Sequence, residues 1–310
     1  MKRILVTGCA GFIGSNLCQD LVANGYAVVG IDNLSAGTRA NVAAGVEFHE
    51  LDIRDPAITP LFAGVEAVFH MAARNCLTDC MAHPLDTADV NVKGTVNVLE
   101  ACKRNAVAKI VYSDTSAEYE GVDEFPSRED KVAPIGTYAV AKRAGALFVE
   151  SYARLYGQRF TTLRYFNVYG PAQDFRRVVP PVMSAFIMKL LAGERPNIYG
   201  TGAKRRDFVY VSDVNAFHLL CLRDERTDGR TFNVGSGLSH SILEIFTAIE
   251  RQLRTGIQPL FKDDLPGEAF QTLADIGAAR SLGWSPQVGL EEGLRRSIEY
   301  IRSRVLGGGR

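Results

Sequence analysis

The chain has 310 residues, with 35 basic and 35 acidic side chains balancing to zero formal charge, and 46% of it is apolar. That length fits one large domain or two small ones with a sizeable core, and the neutrality argues against a nucleic-acid partner while leaving room for a small anionic ligand held by a few local cations. Only three apolar residues stand between Arg3 and Thr7, and no apolar run approaches the roughly 18 residues of a membrane span, so a cytoplasmic location is the default expectation.

The first apolar run, Ile4-Leu5-Val6, reads as a buried strand, and the turn Gly8-Cys9-Ala10-Gly11-Phe12-Ile13-Gly14 follows it directly. A helix pattern then runs from about Ile13 to Ala23. Glycines between a strand and a helix let a pyrophosphate approach the backbone, where the helix N-terminus offers unpaired N–H groups. The spacing is G-x-x-G-x-x-G, so the triplet alone is a weak signal. The second strand, Ala27 to Ile31, ends at Asp32, where an acid accepts hydrogen bonds from an adenosine ribose and repels a 2′-phosphate; this favours NAD over NADP, with Arg39 as the one discordant neighbour. Val46-Glu47-Phe48 is a third strand, followed by Asp52-Ile53, either a turn acid or an edge contact to adenine. Ala67-Val68-Phe69 is a fourth, and its ending His70-Met71-Ala72-Ala73 is small enough for a cofactor to pass over.

Six cysteines form no C-x-x-C pair, and Cys76 and Cys80 read as reduced buried thiols ahead of a metal or redox pair; no metal site is expected. Val92, Val96 and Leu99 stand at i, i+4 and i+7 of a helix ending near Asn105. Ile110-Val111-Tyr112 is a fifth strand. The alternation predicts an α/β fold: a doubly wound, Rossmann-like parallel sheet with helices on both faces. Just after the fifth strand comes Thr115. Tyr138 and Lys142, at i and i+4 of a further helix, project from one face. A phenol is a poor base at neutral pH, and a neighbouring ammonium favours its phenolate. The Thr115 hydroxyl could share the reacting proton. The second half is less regular: Gly170-Pro171 breaks the chain after Thr161–Val168, helical patterns lie near 181–192, 212–223, 241–254 and 291–304, and Lys204-Arg205-Arg206 is a basic cluster suited to one diphosphate or to solvent.

Taken in order, VTGCAGFIGSNL, Asp32-Asn33-Leu34-Ser35, Asn91-Val92-Lys93-Gly94-Thr95, Tyr165-Phe166-Asn167-Val168-Tyr169-Gly170-Pro171, Arg206-Asp207-Phe208-Val209-Tyr210-Val211 and Phe232-Asn233-Val234-Gly235-Ser236-Gly237 resemble the motifs of the extended short-chain dehydrogenases/reductases. The NAD-dependent epimerase/dehydratase branch is the most similar, above all its UDP-glucose and UDP-N-acetylglucosamine 4-epimerases. The resemblance spans nearly the whole chain. It implies a NAD-binding domain over 1–168 with roughly 207–235 packing back on it, and a smaller substrate lobe from 169–206 and 236–310.

The resemblance further implies tightly held, recycled NAD in contact with Gly8, Gly11, Phe12, Ile13, Gly14, Asp32, Asn33, Ser35, Gly37, Asp52, Ile53, Met71, Ala72, Ala73, Asn91, Ser113, Tyr138, Lys142 and Tyr165. Tyr138 is then the acid/base for the sugar 4-hydroxyl, with Thr115 on the same hydroxyl and Lys142 on the nicotinamide ribose. A UDP-sugar is expected against Asn167, Val179, Tyr199, Arg206, Glu268 and Thr272. The relatives that dehydrate or decarboxylate carry acids where this chain has Ser116 and Ala117, which favours 4-epimerisation through a 4-keto sugar over a dehydratase or 4-keto reductase; a non-catalytic NAD-binding regulator is the alternative of another class. Thr272 stands where glucose-restricted epimerases carry tyrosine, which implies room for a 2-acetamido group. Asp114 and Glu120 depart from the family's usual serine and glycine, and Leu265 from a common diphosphate-binding arginine, leaving Arg206 with Arg176 or Arg177 as helpers. A homodimer through the helices around 84–105 and 138–156 completes the expectation.

Overall fold

The computed structural model of the chain describes residues 1–177, 179–264 and 269–306. Its first half alternates strands and helices: β1 (Arg3–Thr7), α1 (Phe12–Ala23), β2 (Ala27–Asp32), β3 (Val46–Glu50), β4 (Ala67–His70), α2 (Leu77–Ala82), α3 (Pro84–Ala88), α4 (Thr95–Arg104), β5 (Lys109–Thr115) and α5 (Thr137–Tyr156). All five strands predicted from sequence are present. With β6 (Arg159–Tyr165) and a strand from much later in the chain they form one parallel sheet, ordered β3-β2-β1-β4-β5-β6 from one edge. The central strands are covered on both faces, which is why β1, β2 and β4 are almost wholly apolar. Alternation along β1 shows this directly: Ile4 and Val6 enter one core with Leu17, Leu21 and Phe69, while Leu5 enters the other with Val29, Val68 and Leu99.

One helix differs from its predicted stripe. Before α4 the backbone makes a π-helical turn, Asp89–Gly94. Its wider turn rotates the face, so Val92 and Val96 are only half-buried while Val98, Leu99, Ala101 and Cys102 are buried. The same turn aims Asn91 inward, where its amide accepts from Arg74 N (2.8 Å) and donates to Arg74 O (3.0 Å).

The irregular second half is explained by the chain changing sheets. The run expected to end at Val168 is two strands, β6 and then β7 (Asn167–Tyr169), which pairs elsewhere. Between them Phe166 N–H bonds Val234 O, turning the chain out of the large sheet. The remaining elements are α6 (Val182–Leu191), β8 (Asn197–Tyr199), β9 (Arg205–Tyr210), α7 (Val211–Arg223), β10 (Arg230–Val234), β11 (Ser239–Ser241), α8 (Ile242–Leu253), β12 (Leu260–Lys262), α9 (Gly277–Arg280) and α10 (Leu290–Leu306). Strand β10 closes the large sheet beside β6; β11, β9 and β7 form a second sheet, and β12 and β8 a third. Helix α7 packs on α1, fastened by Asn215 Nδ2 to Asp20 Oδ2 at 2.7 Å and Arg223 to Asn24 at 2.8 Å. A third apolar core, with Phe186, Phe208, Ile245, Ile249, Leu294 and Ile298, joins α6, α8 and α10 to the small sheets. The strand order of the large sheet reverses between β1 and β4, and a crevice beyond the carboxyl ends of these strands is where open α/β sheets hold ligands.

Candidate active site

At the carboxyl end of β1 the glycine turn is packed as tightly as the backbone permits. A Cβ on Gly8, whose φ is +74°, would lie 2.8 Å from Ala72 N, and one on Gly14 would lie 2.1 Å from Gly8 O. These two glycines are required by the fold itself. Gly11 is different: a Cβ there meets only Gly8 O, at 3.3 Å, so its outer side is open for a ligand to approach. Gly11 is also the N-cap of α1, with no side-chain cap and no acid in the first turn, leaving the N–H groups of Phe12 and Ile13 available to an anion.

Asp32, 8% exposed at the end of β2, accepts from Ala10 N (3.0 Å) and Leu34 N (2.8 Å), bonds that fix the carboxylate without using all its lone pairs. Asn33 donates to Asp52 Oδ2 (2.8 Å) and accepts from Ser35 N and Oγ. A Cβ on Gly37 would meet the Ala10 carbonyl at 2.7–2.8 Å, so this loop folds directly over the turn. The Arg54 guanidinium holds the Asp52 carboxyl well below the usual carboxylate range. Arg39 is spent on Glu50 (2.5 Å) and the Phe48 ring, so it is not posed as a 2′-phosphate ligand. Ile53 is buried against Gly94.

The end of β4 is held by a chain of buried groups that sequence reading missed. Thr7 Oγ1 lies 2.7 Å from His70 Nδ1, and His70 Nε2 lies 3.0 Å from Thr95 Oγ1. Thr95 donates its only hydroxyl proton to Asn91 O (2.7 Å), so His70 Nε2 is the protonated nitrogen and Thr7 donates to Nδ1. Thr7 Oγ1 in turn accepts from Ala72 N (3.2 Å), which sets the backbone of Met71, Ala72 and Ala73 beside the glycine turn. Burial depresses His70 to about 3, and does the same to His218, whose Nε2 lies 2.6 Å from Tyr165 OH. Both are folded neutral and charge on unfolding, so their contribution is complete above about pH 6.5 and is lost as the pH falls toward 3. His218→Gln is therefore expected to remove about 1.4 kcal/mol per pH unit from the pH dependence of unfolding free energy between about pH 6 and 4. Urea denaturation across that range checks this, and an unaltered slope contradicts it.

Tyr138 and Lys142 share the inner face of α5 against the end of β5. Glu120 accepts from Gly136 N at 2.7 Å, just before α5, and so sets where the helix starts. Lys142 is 2% exposed, and its Nζ sits 4.1 Å above the Tyr112 ring. Tyr112 OH donates to Lys142 O (3.0 Å), and a Cβ on Gly145 would strike that hydroxyl at 2.3 Å. Tyr112 is thus the base plate that seats the helix; Gly145, one turn beyond the Y-x-x-x-K pair, was its only trace in sequence. Burial lowers Lys142 to about 8 against the upward pull of Asp114 and Glu118. Burial raises the Tyr138 phenol, and the Thr115 hydroxyl, hydrogen-bonded to it, pulls the other way. Ser113 lies beside Tyr165, whose hydroxyl is also 3.5 Å from Met71 Sδ. Thr115 is hydrogen-bonded to Tyr138, Lys142 follows one turn along α5, and β5 carries the threonine to the same carboxyl edge of the parallel sheet as the glycine turn.

The substrate-side residues are placed less uniformly. Asn167 Nδ2 donates to Asp207 O (3.0 Å) and toward Thr272 Oγ1 (3.4 Å), and Thr272 Oγ1 accepts from Asp207 N (3.2 Å). Asp207 itself is buried on the N–H groups of Ser236, Gly237 and Ala274, so its partner is not Arg206. Among the described residues, Lys204 pairs with Asp264, Arg205 turns to Ser239 and Glu244, and Arg206 Nη1 donates to Arg205 O (2.9 Å). Strand alternation separates neighbours that are adjacent in sequence. Tyr199 is 42% exposed, which removes the reading that it is core, and Val179 is 54% exposed. Arg176 stacks on Phe175, and Arg177 donates to Val179 O and lies near the half-buried Cys76. Cys80 is buried beside Tyr138, and both thiols are free. Leu265 and Glu268 lie outside the described residues.

A profile of the NAD dependent epimerase/dehydratase family matches residues 4–235. The chain belongs to this family. As a member of it, the chain takes NAD, and the open side of Gly11, the uncapped α1 N-terminus and the fixed Asp32 carboxylate fit that cofactor. UDP-glucose 4-epimerase of Mycolicibacterium smegmatis is 37% identical over 97% of this chain and 99% of its own. Among solved structures, UDP-glucose 4-epimerase of Thermotoga maritima with UDP-glucose is 36% identical, with a TM-score of 0.94 over 98% of this chain and 99% of its own. UDP-N-acetylglucosamine 4-epimerase of Methanobrevibacter ruminantium, in complex with UDP-N-acetylmuramic acid, has the same TM-score and coverage at 31% identity. The family's Rossmann-like α/β fold is the one built by the seven-stranded sheet.

Proposed function

We propose that this epimerase-family chain interconverts the C4 epimers of a UDP-hexose, preferring the UDP-GlcNAc/UDP-GalNAc pair and turning over UDP-Glc/UDP-Gal as well. The observation that carries the reading is the convergence of Thr115, Tyr138 and Lys142 beside an NAD-fitting cradle. Bound NAD supplies a hydride acceptor and donor for the sugar C4. Tyr138 accepts the proton of the 4-hydroxyl and returns it, Thr115 hydrogen-bonds both oxygens, and the Lys142 ammonium favours the phenolate. Because the same hydride and the same proton come back, the cofactor is recycled in place.

Epimerisation is favoured over elimination by what faces the sugar. Ser116 and Ala117 follow Thr115, and the nearby acid, Glu118, is fully buried on Arg164. Incubating the purified chain with UDP-, GDP- and dTDP-sugars and resolving products by NMR and mass tests this: an epimer of unchanged mass is expected, and loss of water refutes it. The acetylated preference rests on Thr272, whose short side chain is tied to Asp207 and Asn167. Thr272→Tyr is expected to cut kcat/KM for UDP-GlcNAc by about 10- to 100-fold, the cost of crowding a pocket by a few kcal/mol, with a smaller effect on UDP-Glc. Equal losses on both sugars count against the assignment.

We further propose that residues 1–168 with 207–235 carry the cofactor and the remaining segments the sugar, and that the chain works as a homodimer in the cytoplasm. Val140, Leu147, Phe148 and Leu155 lie along one outer face of α5 and are each at least 40% exposed, as is Leu85 on α3. A second copy covering this stripe accounts for it. Among the described residues no helix is long and apolar enough to cross a membrane.

A further inference from the structure

Behind the reacting groups lies a charged cluster that the reaction as described does not use. Asp114 on β5 and Glu118 just beyond it have fully buried carboxyls, and the Arg164 side chain on β6 is 3% exposed. Arg164 Nε lies 3.3 Å from Asp114 Oδ2, and its Nη2 lies 2.9 Å from Glu118 Oε2. Its third nitrogen donates to Tyr119 OH (3.1 Å) and Glu129 O (2.8 Å), and Tyr119 donates to Asn233 Oδ1 (2.6 Å). One guanidinium therefore faces two buried acids.

The acids are also within hydrogen-bonding reach of each other. Asp114 Oδ1 and both Glu118 oxygens are buried and accept no hydrogen bond. Ionised carboxylates only accept, so two such groups in contact gain a hydrogen bond when they share a proton. Asp114 is the residue immediately before Thr115, and both acids lie close enough to Lys142 to act on its charge.

We propose that Asp114 and Glu118 are positioning residues for this enzyme: a proton-sharing carboxyl pair, anchored by Arg164 behind Thr115, that keeps Lys142 charged into the alkaline range and so widens the pH range of turnover. The inference rests on the 4-epimerase reading of the site. Below its own titration the pair carries one negative charge, matched by Arg164. As the pH rises the shared proton leaves, and the second negative charge appears where it opposes the loss of a proton from Lys142. Burial and the Asp114 charge together raise Glu118, which places that event near the range where Lys142 titrates. The other groups around Lys142 and Tyr138 are His70 at the end of β4, Tyr112 on β5, Cys80 on α2, Arg143 on α5, Tyr165 on β6, and Tyr119 and Glu129 around Arg164. Burial depresses His70 to about 3, so it stays neutral across the working range, and burial raises Tyr112, Tyr119, Tyr165 and Cys80. Of the acids around Lys142, the carboxyl pair is the one whose two members are buried together against a single guanidinium.

Asp114→Asn and Glu118→Gln keep shape while leaving one carboxylate to pair with Arg164. Each is expected to move the alkaline limb of the kcat–pH profile down by about one unit, roughly a tenfold loss of rate above the new midpoint, with the acid limb nearly unmoved. A purely structural pair predicts a lower kcat at every pH with both limbs in place, and that result overturns the proposal. Infrared spectroscopy of the wild-type chain with NAD, which needs neither substrate nor variant, reads the pair directly. A protonated-carboxyl stretch at neutral pH that vanishes on alkalinisation is expected, and its absence overturns the proposal even if the variants fail to fold. If the wild-type chain epimerises no UDP-hexose, the reading of function has failed, and the infrared result still decides whether the pair holds a proton.

Discussion

Replacing Tyr138 by phenylalanine is expected to reduce turnover by about 10²–10⁴-fold, the range for removal of a positioned acid/base, while NAD stays bound. The hydroxyl is the only atom removed. The ring stays packed on α5, Lys142 keeps its place over Tyr112, and the glycine cradle is untouched. The measurement is paired: kcat on the preferred UDP-sugar, and cofactor content of the purified variant by absorbance after denaturation. A variant that retains turnover refutes the acid/base assignment. One that loses NAD as well places Tyr138 in cofactor binding and shows nothing about proton transfer. The comparison also disposes of the regulator reading, since a protein that only senses NAD has no turnover to lose.

The second large effect is expected at Gly14. An alanine there puts its Cβ 2.1 Å from Gly8 O and 2.9 Å from Gly8 C, backbone atoms that cannot swing aside as the end of a side chain can. Either the turn opens or α1 is pushed away from β1. Overpacking alone costs about 1–3 kcal/mol, and the distortion falls on the N–H groups posed for the pyrophosphate, so stabilisation by bound cofactor is lost with it. Gly14→Ala should therefore purify without NAD and melt several degrees lower, at roughly 2–4 °C per kcal/mol for a chain of this size or somewhat smaller. Gly11→Ala makes the control. Its Cβ meets Gly8 O at 3.3 Å and otherwise points into open space, so the apo fold should keep most of its stability while NAD binding weakens. If the two variants melt alike with cofactor removed, the division between a packing glycine and an approach glycine is wrong.

Much of the cofactor half was legible because its signals are local. The apolar runs at Ile4, Ala27, Val46, Ala67 and Ile110 are strands in both readings, and Asp32 stands at a strand end in both. Burial on two faces makes the inner part of a central parallel strand mostly apolar, so a short apolar run identifies it. The pairing of Tyr138 with Lys142 was equally legible, since i and i+4 on a helix lie on one face whatever surrounds them. One local pattern was altered by the backbone for an identifiable reason. The Val92–Val96–Leu99 stripe assumed a regular helix, and the π turn at Asp89–Gly94 rotated it. In the Lys204-Arg205-Arg206 cluster, strand alternation sends Arg205 and Arg206 to opposite faces, and Ser239 and Glu244 meet Arg205.

By itself, then, the sequence determined the strand–helix order, the strand-end position of Asp32, and the tyrosine–lysine pair, together with the family in which those features recur. The tertiary structure decided everything that depends on residues far apart in the chain. It set Tyr112 beneath Lys142, linked Thr7 to His70 and Thr95 at the end of β4, and enclosed Asp114 and Glu118 around Arg164. The neutral total of 35 against 35 conceals that last arrangement, because a charge count does not distinguish exposed charges screened by water from two acids and an arginine sealed in the interior. Burial makes these charges matter, and burial belongs to the packed molecule.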